Sequence, residues 1–315
     1  MSRPTSPART AVRAAALLAA AALTLAGCAE PADTGKDTPG GHGTALPTAD
    51  VVSGIAKDPA AAALLPAEVR ARGTLALASS IGSPPAAFYL PDGKTVAGQD
   101  IDLADAVGKV LGLRLKREPA SFEAILPALG SGRYDVGTGN FGVTDERRKT
   151  IDFVTYINDG QGFAVRADSP LKKVTTLTQL CGLTVASGAG TTFEASLERE
   201  RPRCAAAGKK PYDVKTYAEQ SALYASLQQG RTDVVMSTVN GLRYAVSRQP
   251  GLRYLNTYHR LDVGFAFKKG SPLAPAFRAA VNHLIKSGDY RTVLKKWATT
   301  GSALPASRIS PPEVR

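Results

Sequence analysis

Histidine and cysteine are scarce in this chain, and their positions match no metal or thiol motif. Among 315 residues there are three histidines and three cysteines. His42, His259 and His283 are too scattered to form a metal-ligand pattern, and no Cys-x-x-Cys is present. The glycine-rich stretches lack the Gly-Lys-Ser/Thr ending of a phosphate-binding loop. The sequence therefore predicts neither a metal site nor a bound cofactor.

Long apolar runs are also absent, apart from a short one near the start. Ala14–Leu25 is too short for an ordinary membrane span and follows the positive residues Arg3, Arg9 and Arg13, as in a secretory signal peptide. The run ends in Leu-Ala-Gly-Cys, which resembles the bacterial lipobox. This resemblance implies cleavage before Cys28 and acylation of its thiol. The alternative is a soluble secreted protein with a chance cysteine.

These features predict a lipoprotein held at the outer face of the cytoplasmic membrane. The signal peptide would cover residues 1–27, and a flexible, lipid-anchored tether would cover 28–57, because Gly, Pro, Thr and Asp are frequent there. Stable anchoring takes two acyl chains or signals, which a diacylated cysteine provides.

Acidic residues are outnumbered, but the charge pattern does not favour a nucleic-acid partner. The formal charge of +12 falls to about +9 when the three signal-peptide arginines are removed. The remaining Lys and Arg form no stripe interleaved with aromatic residues. Export also argues against nucleic-acid binding. We expect a solvated basic surface and no nucleic-acid partner.

Two cysteines remain in the body of the chain, Cys181 and Cys204. Outside the membrane such a pair is usually oxidised, so we predict a disulfide. It would close a loop of about 22 residues and add about 3 kcal/mol to the free energy of unfolding. Two reduced core thiols are the alternative.

Short apolar strands alternate with helical stretches along the body. Thr74–Ala78 is typical of a strand, and Asp102–Val110 has helical spacing of apolar residues before Gly112. Phe122–Leu129 predicts a second helix. This alternation predicts an α/β fold with a mainly parallel sheet covered by helices.

One pattern occurs twice. Leu-x-x-Gly-Arg-x-Asp-Val covers 129–136 and again 227–234, and in each copy a helix would end at a glycine before a strand begins. The repetition predicts two similarly wound lobes. Since ligands bind beyond the carboxyl ends of strands in open α/β sheets, the residues after the two strands, including Asn140 and Thr238, are candidates for one shared cleft.

The run from Gly73 to Thr300 resembles family 3 of the bacterial extracellular solute-binding proteins, the polar amino acid-binding group. The motifs that carry the resemblance are Pro84-Pro85, Gly98 to Leu103, Ile125 to Leu129, Gly132 to Val136, Val143 to Arg147, Ile151 to Phe153, Gly190-Thr191-Thr192 and the stretch from Tyr290 to Trp297.

This resemblance implies a type II periplasmic-binding-protein-like fold of two lobes joined by a two-strand hinge. Lobe one would comprise 70–160 plus 259–301, lobe two 165–256, and a tail 302–315. The crossings would lie near 162–165 and 262–265.

The resemblance also assigns roles at the ligand site. In similar proteins the arginine at the place of Arg147 holds the ligand carboxylate, a task suited to a planar guanidinium. Thr192, aided by Thr191 and the amides of a helix that starts near Phe193, would contact the same carboxylate. An exposed arginine and a plain helix cap are the respective alternatives.

Phe122 and Phe141 fall where similar proteins have apolar pocket walls, with ordinary core residues as the alternative. Four positions depart from the family pattern: Ser83 and Ala86 replace aromatic residues, Gly142 replaces a frequent Ser or Thr, and Thr238 replaces the carboxylate that holds the ligand ammonium. Asp100, Asp159 or Asp262 would have to supply that charge.

The function predicted is capture of a small polar, amino-acid-like solute with a carboxylate, and its delivery as a monomer to the permease subunits of an ABC importer. No acid, base and nucleophile constellation is evident, so an enzyme is not expected. A sensor for a membrane receptor and a dehydratase-like enzyme on the same fold are the alternatives.

Overall fold

The computed structural model describes residues 46–314. The signal peptide, Cys28 and most of the predicted tether lie outside these residues. The helices are α1 (Pro59–Ala63), α2 (Ala67–Arg72), α3 (Gln99–Leu111), α4 (Phe122–Gly130), α5 (Thr192–Glu200), α6 (Pro202–Ala206), α7 (Gln220–Gln228), α8 (Val239–Arg248), α9 (Ala274–Ser287) and α10 (Asp289–Lys296).

The strands are β1 (Thr74–Ser79), β2 (Phe88–Tyr89), β3 (Val96–Ala97), β4 (Arg114–Pro119), β5 (Val136–Gly142), β6 (Ile151–Arg166), β7 (Thr184–Gly188), β8 (Asp213–Tyr217), β9 (Val234–Thr238) and β10 (Leu252–Lys268). Strands β2 and β3 form a small hairpin of their own.

The other eight strands form one sheet in the order β4-β1-β5-β10-β6-β9-β7-β8. The strands β4, β1 and β5 run parallel, as do β9, β7 and β8. We call the parts around these two sets lobe one and lobe two. The long strands β6 and β10 pair antiparallel from Leu252 opposite Arg166 to Lys268 opposite Ile151 and connect them. The predicted α/β fold with two mainly parallel units and a two-strand connection is confirmed. The lobe boundaries stay a prediction.

Helix α3 shows how the sequence specifies lobe one. Its apolar residues recur at helical spacing, and Leu103, Val107 and Val110 are buried against the sheet. Burying each such side chain stabilises the fold by about 1.5–3 kcal/mol. Gly112 ends the helix with φ of 67°, a left-handed conformation that glycine adopts without steric cost.

The repeated pattern marks the same local structure in both lobes. Gly132 and Gly230 have φ of 79° and 70°. The carboxylates of the two aspartates, Asp135 and Asp233, each accept a backbone N–H bond of 2.8 Å from the neighbouring strand. The pattern therefore fixes a helix end and also ties the next strand to its parallel neighbour.

A disulfide joins Cys181 to Cys204 in lobe two, with the Cα atoms 5.7 Å apart. It links the end of the 3-10 turn Leu177–Leu180 to α6. Cys204 is fully buried in the apolar cluster of this lobe.

Both ends of the described chain pack on lobe one. Leu46, Val51, Val52 and Ile55 contact its hydrophobic core, so this part of the predicted tether lies on the folded body. The segment after 302, predicted as a tail, lies alongside β6 and forms a β-bridge between Ile309 and Val154. Within residues 46–314, no helix combines the length and apolar character that a membrane span needs.

Candidate functional site

A cavity of about 150 Å³ lies between the lobes. Its walls come from segments that follow the carboxyl ends of strands, where open α/β sheets bind ligands. Lobe one contributes the loop after β1, the start of α4 and the end of β5. Lobe two contributes the loop before α5, the loop between β8 and α7, and the start of α8. The lining includes Ser80, Ser83, Gln99, Phe122, Glu123, Asn140, Arg147, Thr191, Thr192, Tyr217, Glu219, Gln220, Ser237, Thr238 and Asn240.

Arg147 presents the one cationic side chain among the residues that line this cavity. Its backbone N–H donates to the Thr144 hydroxyl at 3.1 Å, so Thr144 fixes the start of the 3-10 turn Arg147–Lys149. Its guanidinium donates to the carbonyl oxygens of Gly142 at 3.1 Å and Gly190 at 3.3 Å. Within residues 46–314 no carboxylate forms an ion pair with Arg147. Burial lowers the pKa of Arg147 to about 10, which leaves it charged at neutral pH.

The aromatic residues form a stack beneath the guanidinium. The rings of Phe122 and Phe141 lie 4.7 Å apart, and the Arg147 guanidinium carbon is 5.8 and 6.0 Å from their centroids. Such a cation–π arrangement fixes the orientation of the arginine. Phe122 lines the cavity, whereas Phe141 is fully buried behind it. Phe141 therefore supports the wall without forming it.

Two threonines at the start of α5 have different roles. Thr191 is the N-cap: its hydroxyl accepts from the Glu194 N–H at 3.2 Å and donates to the Gly188 carbonyl at 2.7 Å. Thr192 is the first helical residue, one position earlier than expected, and faces the end of β5. A Cβ added to Gly142 would lie 3.7 Å from the Thr192 methyl group, so lobe two approaches lobe one closely here.

Thr238 lines the cavity at the end of β9 and is the N-cap of α8. Its hydroxyl accepts from the Gly241 N–H at 3.0 Å. The side chain at this position is therefore neutral, and its oxygen already serves the helix.

The three aspartates considered as substitutes for the missing carboxylate are buried, and none of them lines the cavity. Asp262 forms an ion pair with Arg308 at 2.7 Å. Asp100 accepts from Tyr156 at 2.7 Å, and burial raises the pKa of this carboxyl. Asp159 is fully buried, and this burial raises its pKa to about 6.

Asn140 connects the two buried acids to the cavity. Its backbone has φ of 56°, a left-handed conformation that asparagine tolerates. Its N–H donates to Asp100 at 3.0 Å and its side-chain amide to Asp159 at 3.2 Å. The other oxygen of Asp159 accepts from the backbone N–H of Asn240 in lobe two at 3.1 Å. Asp159 thus joins the strand ends of both lobes.

Sequence reasoning missed several lining residues, among them Gln99, Glu123, Glu219 and Gln220. Glu219 and Gln220 follow β8, and Glu123 follows Phe122 at the start of α4. Applying the carboxyl-end rule to every strand would have found Glu219 and Gln220. Among the described residues, no group of three His, Cys, Asp or Glu side chains is placed to hold a metal ion.

Comparison with known proteins agrees with this architecture. Residues 75–300 match the family described as bacterial extracellular solute-binding proteins, family 3. The chain is similar to the arginine-binding protein ArgT of Corynebacterium glutamicum, with 30% identity over 305 residues that cover 95% of each chain.

Two solved structures share the fold. An ancestral arginine-binding protein bound to arginine has 30% identity and a TM-score of 0.65, over 72% of this chain and 98% of its own. The ancestral amino acid-binding protein AncCDT-1, a precursor of cyclohexadienyl dehydratase, has 26% identity and a TM-score of 0.65, over 73% and 97%. With its two lobes, its interlobe cavity and a family match over most of its length, this chain belongs to family 3 of the bacterial extracellular solute-binding proteins.

Proposed function

We propose that this amino acid solute-binding protein captures a small solute through its carboxylate and delivers it, as a lipid-anchored monomer, to the permease subunits of an ABC importer. The observation that carries the proposal is Arg147, a half-buried guanidinium at an interlobe cavity with no ion-pair partner among residues 46–314. A charge that is partly removed from water is costly unless it is paired, so the site favours an anionic group from a ligand.

The surroundings of Arg147 support a carboxylate as that group. Two N–H groups along one edge of a planar guanidinium match the two oxygens of a carboxylate. The start of α5, with Thr192, adds positive potential from the opposite lobe. Phe122 supplies an apolar surface beside the charge. No cofactor takes part.

Arginine is the first solute to test, because ArgT and the ancestral protein carry that name. The lining carries Glu123 and Glu219 besides Arg147, two negative charges and one positive. This balance suits a ligand with a carboxylate and one or two cationic groups. The departures at Ser83 and Thr238 widen the panel to glutamine, amines, betaines and small carboxylates.

The amino-terminal features support a lipid anchor on the extracytoplasmic side. A charged start, an apolar run and a cysteine after small residues are what a lipoprotein signal requires. A binding protein tethered in this way remains close to the permease.

We assign binding without chemistry, although AncCDT-1 is a dehydratase precursor. A dehydratase needs an acid held at the reacting bond, and the two glutamates of the lining are both solvent-exposed. A sensor role would use the same cavity and differ in the receptor it contacts.

Thermal-shift screening of the purified protein, followed by calorimetry, tests the proposal. Micromolar binding of a carboxylate-bearing amino acid that NMR recovers unchanged after incubation would support it. Failure to bind any amino acid, or conversion of the bound solute, would refute it.

A further inference from the structure

Three side-chain amides at the cavity have a carbonyl oxygen with no hydrogen-bond partner in the described part of the chain. They belong to Gln99, Asn140 and Gln220. Gln99 is 1% exposed, so its oxygen is shielded from bulk water. Buried polar atoms in folded proteins are nearly always paired, and leaving an acceptor without a donor is costly.

The nitrogen atoms of these three amides face acceptors in the structure, and for Asn140 and Gln99 the acceptor is a carboxyl group. The Asn140 nitrogen donates to Asp159 at 3.2 Å, and the Gln99 nitrogen donates to Asp100 at 3.4 Å. In both contacts the amide nitrogen faces the carboxyl oxygen, and the amide oxygen faces away from it without a partner. The Gln220 nitrogen donates to the Tyr224 hydroxyl at 3.4 Å.

The charges behind these amides favour a cation. Asp100 and Asp159 are buried, and the groups that donate to them are neutral: two amide side chains, two backbone N–H groups and a phenol. No Lys or Arg among residues 46–314 lies within ion-pair distance of either carboxylate. Among the described residues, the lining holds one unpartnered donor beside these three acceptors, the side-chain nitrogen of Asn240. The cavity therefore has one end governed by Arg147 and another where unpartnered acceptors outnumber donors and two buried carboxyl groups lie behind them.

Gln220 lies beside the position that departs from the family pattern. A Cβ added to Gly241 would lie 3.2 Å from the Gln220 nitrogen and 2.6 Å from the Thr238 hydroxyl oxygen. The amide of Gln220 thus borders Thr238.

We propose that the ligand is a zwitterionic amino acid whose ammonium group is bound by the neutral amide oxygens of Gln99, Asn140 and Gln220, in place of a carboxylate at position 238. This inference rests on the proposed function. An ammonium carries three donors and no acceptor, which complements three carbonyl oxygens. Neutral acceptors hold it less strongly than a carboxylate does, so the discrimination against ligands that lack the amine is about ten- to a hundredfold.

The test compares Gln99→Met and Gln220→Met, which keep the volume of the side chain and remove the acceptor. Gln249→Met is the matched control, because the Gln249 oxygen is also buried without a partner but lies at the end of α8, outside the cavity lining. Asn140 is left unchanged, since its left-handed backbone would confound the result.

Calorimetry is run with L-arginine and L-glutamine, each beside its deaminated acid. We expect Gln99→Met and Gln220→Met to weaken binding of the amino acids by about ten- to a hundredfold and to leave the affinity for the deaminated acids unchanged. The control variant should not show this loss of affinity for the amino acids. Equal losses for both ligand types, or losses in Gln249→Met as large, would overturn the inference. Wild-type protein that binds the deaminated acids but neither amino acid would also overturn the inference, whereas wild-type protein that binds no amino acid in the thermal-shift panel would overturn the proposed function instead.

Discussion

The guanidinium of Arg147 donates from Nη2 to the carbonyl oxygen of Gly190, 3.3 Å away in the loop before α5. The arginine belongs to lobe one and the glycine to lobe two, so a single side chain of the cavity lining contacts the backbone of the opposite lobe. A carboxylate bound to Arg147 would stand next to the start of α5. We therefore expect ligand binding and hinge closure to be coupled through this residue.

Replacing Arg147 by alanine should abolish binding of a micromolar ligand while the protein stays folded. Removing one partner of a buried charge pair costs about 2–5 kcal/mol, which is tens- to thousands-fold in affinity. Arg148→Ala is the control, since Arg148 is engaged with Asp145 at 2.7 Å and the Ser310 carbonyl at 2.9 Å, outside the cavity lining. Equal affinities of the two variants in calorimetry would contradict the assignment.

Thr238→Ala should affect stability and binding to a similar, modest extent. The hydroxyl caps α8, so its loss should lower the free energy of unfolding by about 1 kcal/mol. Loss of one neutral hydrogen bond to the ligand costs about 0.5–1.5 kcal/mol. Thr238→Asp keeps a capping oxygen and adds a charge, so it should strengthen binding of cationic ligands. Urea unfolding and calorimetry separate the two effects, and a loss as large as that of Arg147→Ala would refute this view.

The parts of the site that the sequence predicts well are those set by local chemistry. The turns at Gly132 and Gly230 need a left-handed residue, and the aspartates that follow bond to backbone nearby in space, so a short pattern encodes both. The position of Arg147 can also be predicted from local sequence, because its turn is fixed by Thr144, three residues earlier.

Other features arise only from tertiary packing. Gln99 and Gln220 are distant in sequence and meet at one cavity because the two lobes face each other. Similarly, no local pattern reveals that Asp159 lies between Asn140 and Asn240, or that Phe141 lies behind Phe122. Periodicity predicts burial, but it does not distinguish a wall residue from the one that supports it.

Cys181 and Cys204 should be oxidised in the exported protein. Serine at both positions should lower the free energy of unfolding by about 3 kcal/mol, because the bridged positions are 23 residues apart and the unfolded chain gains freedom when the link is lost. Thiol labelling of denatured, non-reduced protein measures the oxidation state. Two labelled thiols per mature chain would exclude the bond.

Cys28→Ser should release the protein from the membrane fraction or block its processing, since the thiol that would be acylated is lost. The comparison is fractionation of cells that express the wild type, the variant and Cys181→Ser, a control that keeps Cys28. A variant that remains membrane-bound with normal processing would exclude the lipobox interpretation.

Asp159 predicts a specific pH dependence of stability. Burial raises its pKa from 3.8 to about 6, so between these values the folded protein binds a proton that the unfolded chain has already released. The free energy of unfolding should therefore fall as pH rises from about 4 to about 6, by roughly 3 kcal/mol from this residue alone, and level off above pH 7.

Asp159→Asn removes the titration, so its stability relative to wild type should increase over the same interval. Asp168→Asn, at an exposed side chain, should follow the wild-type profile. Denaturant unfolding at half-unit steps of pH measures the difference, and parallel curves for wild type and Asp159→Asn would show that this carboxyl does not titrate in that range.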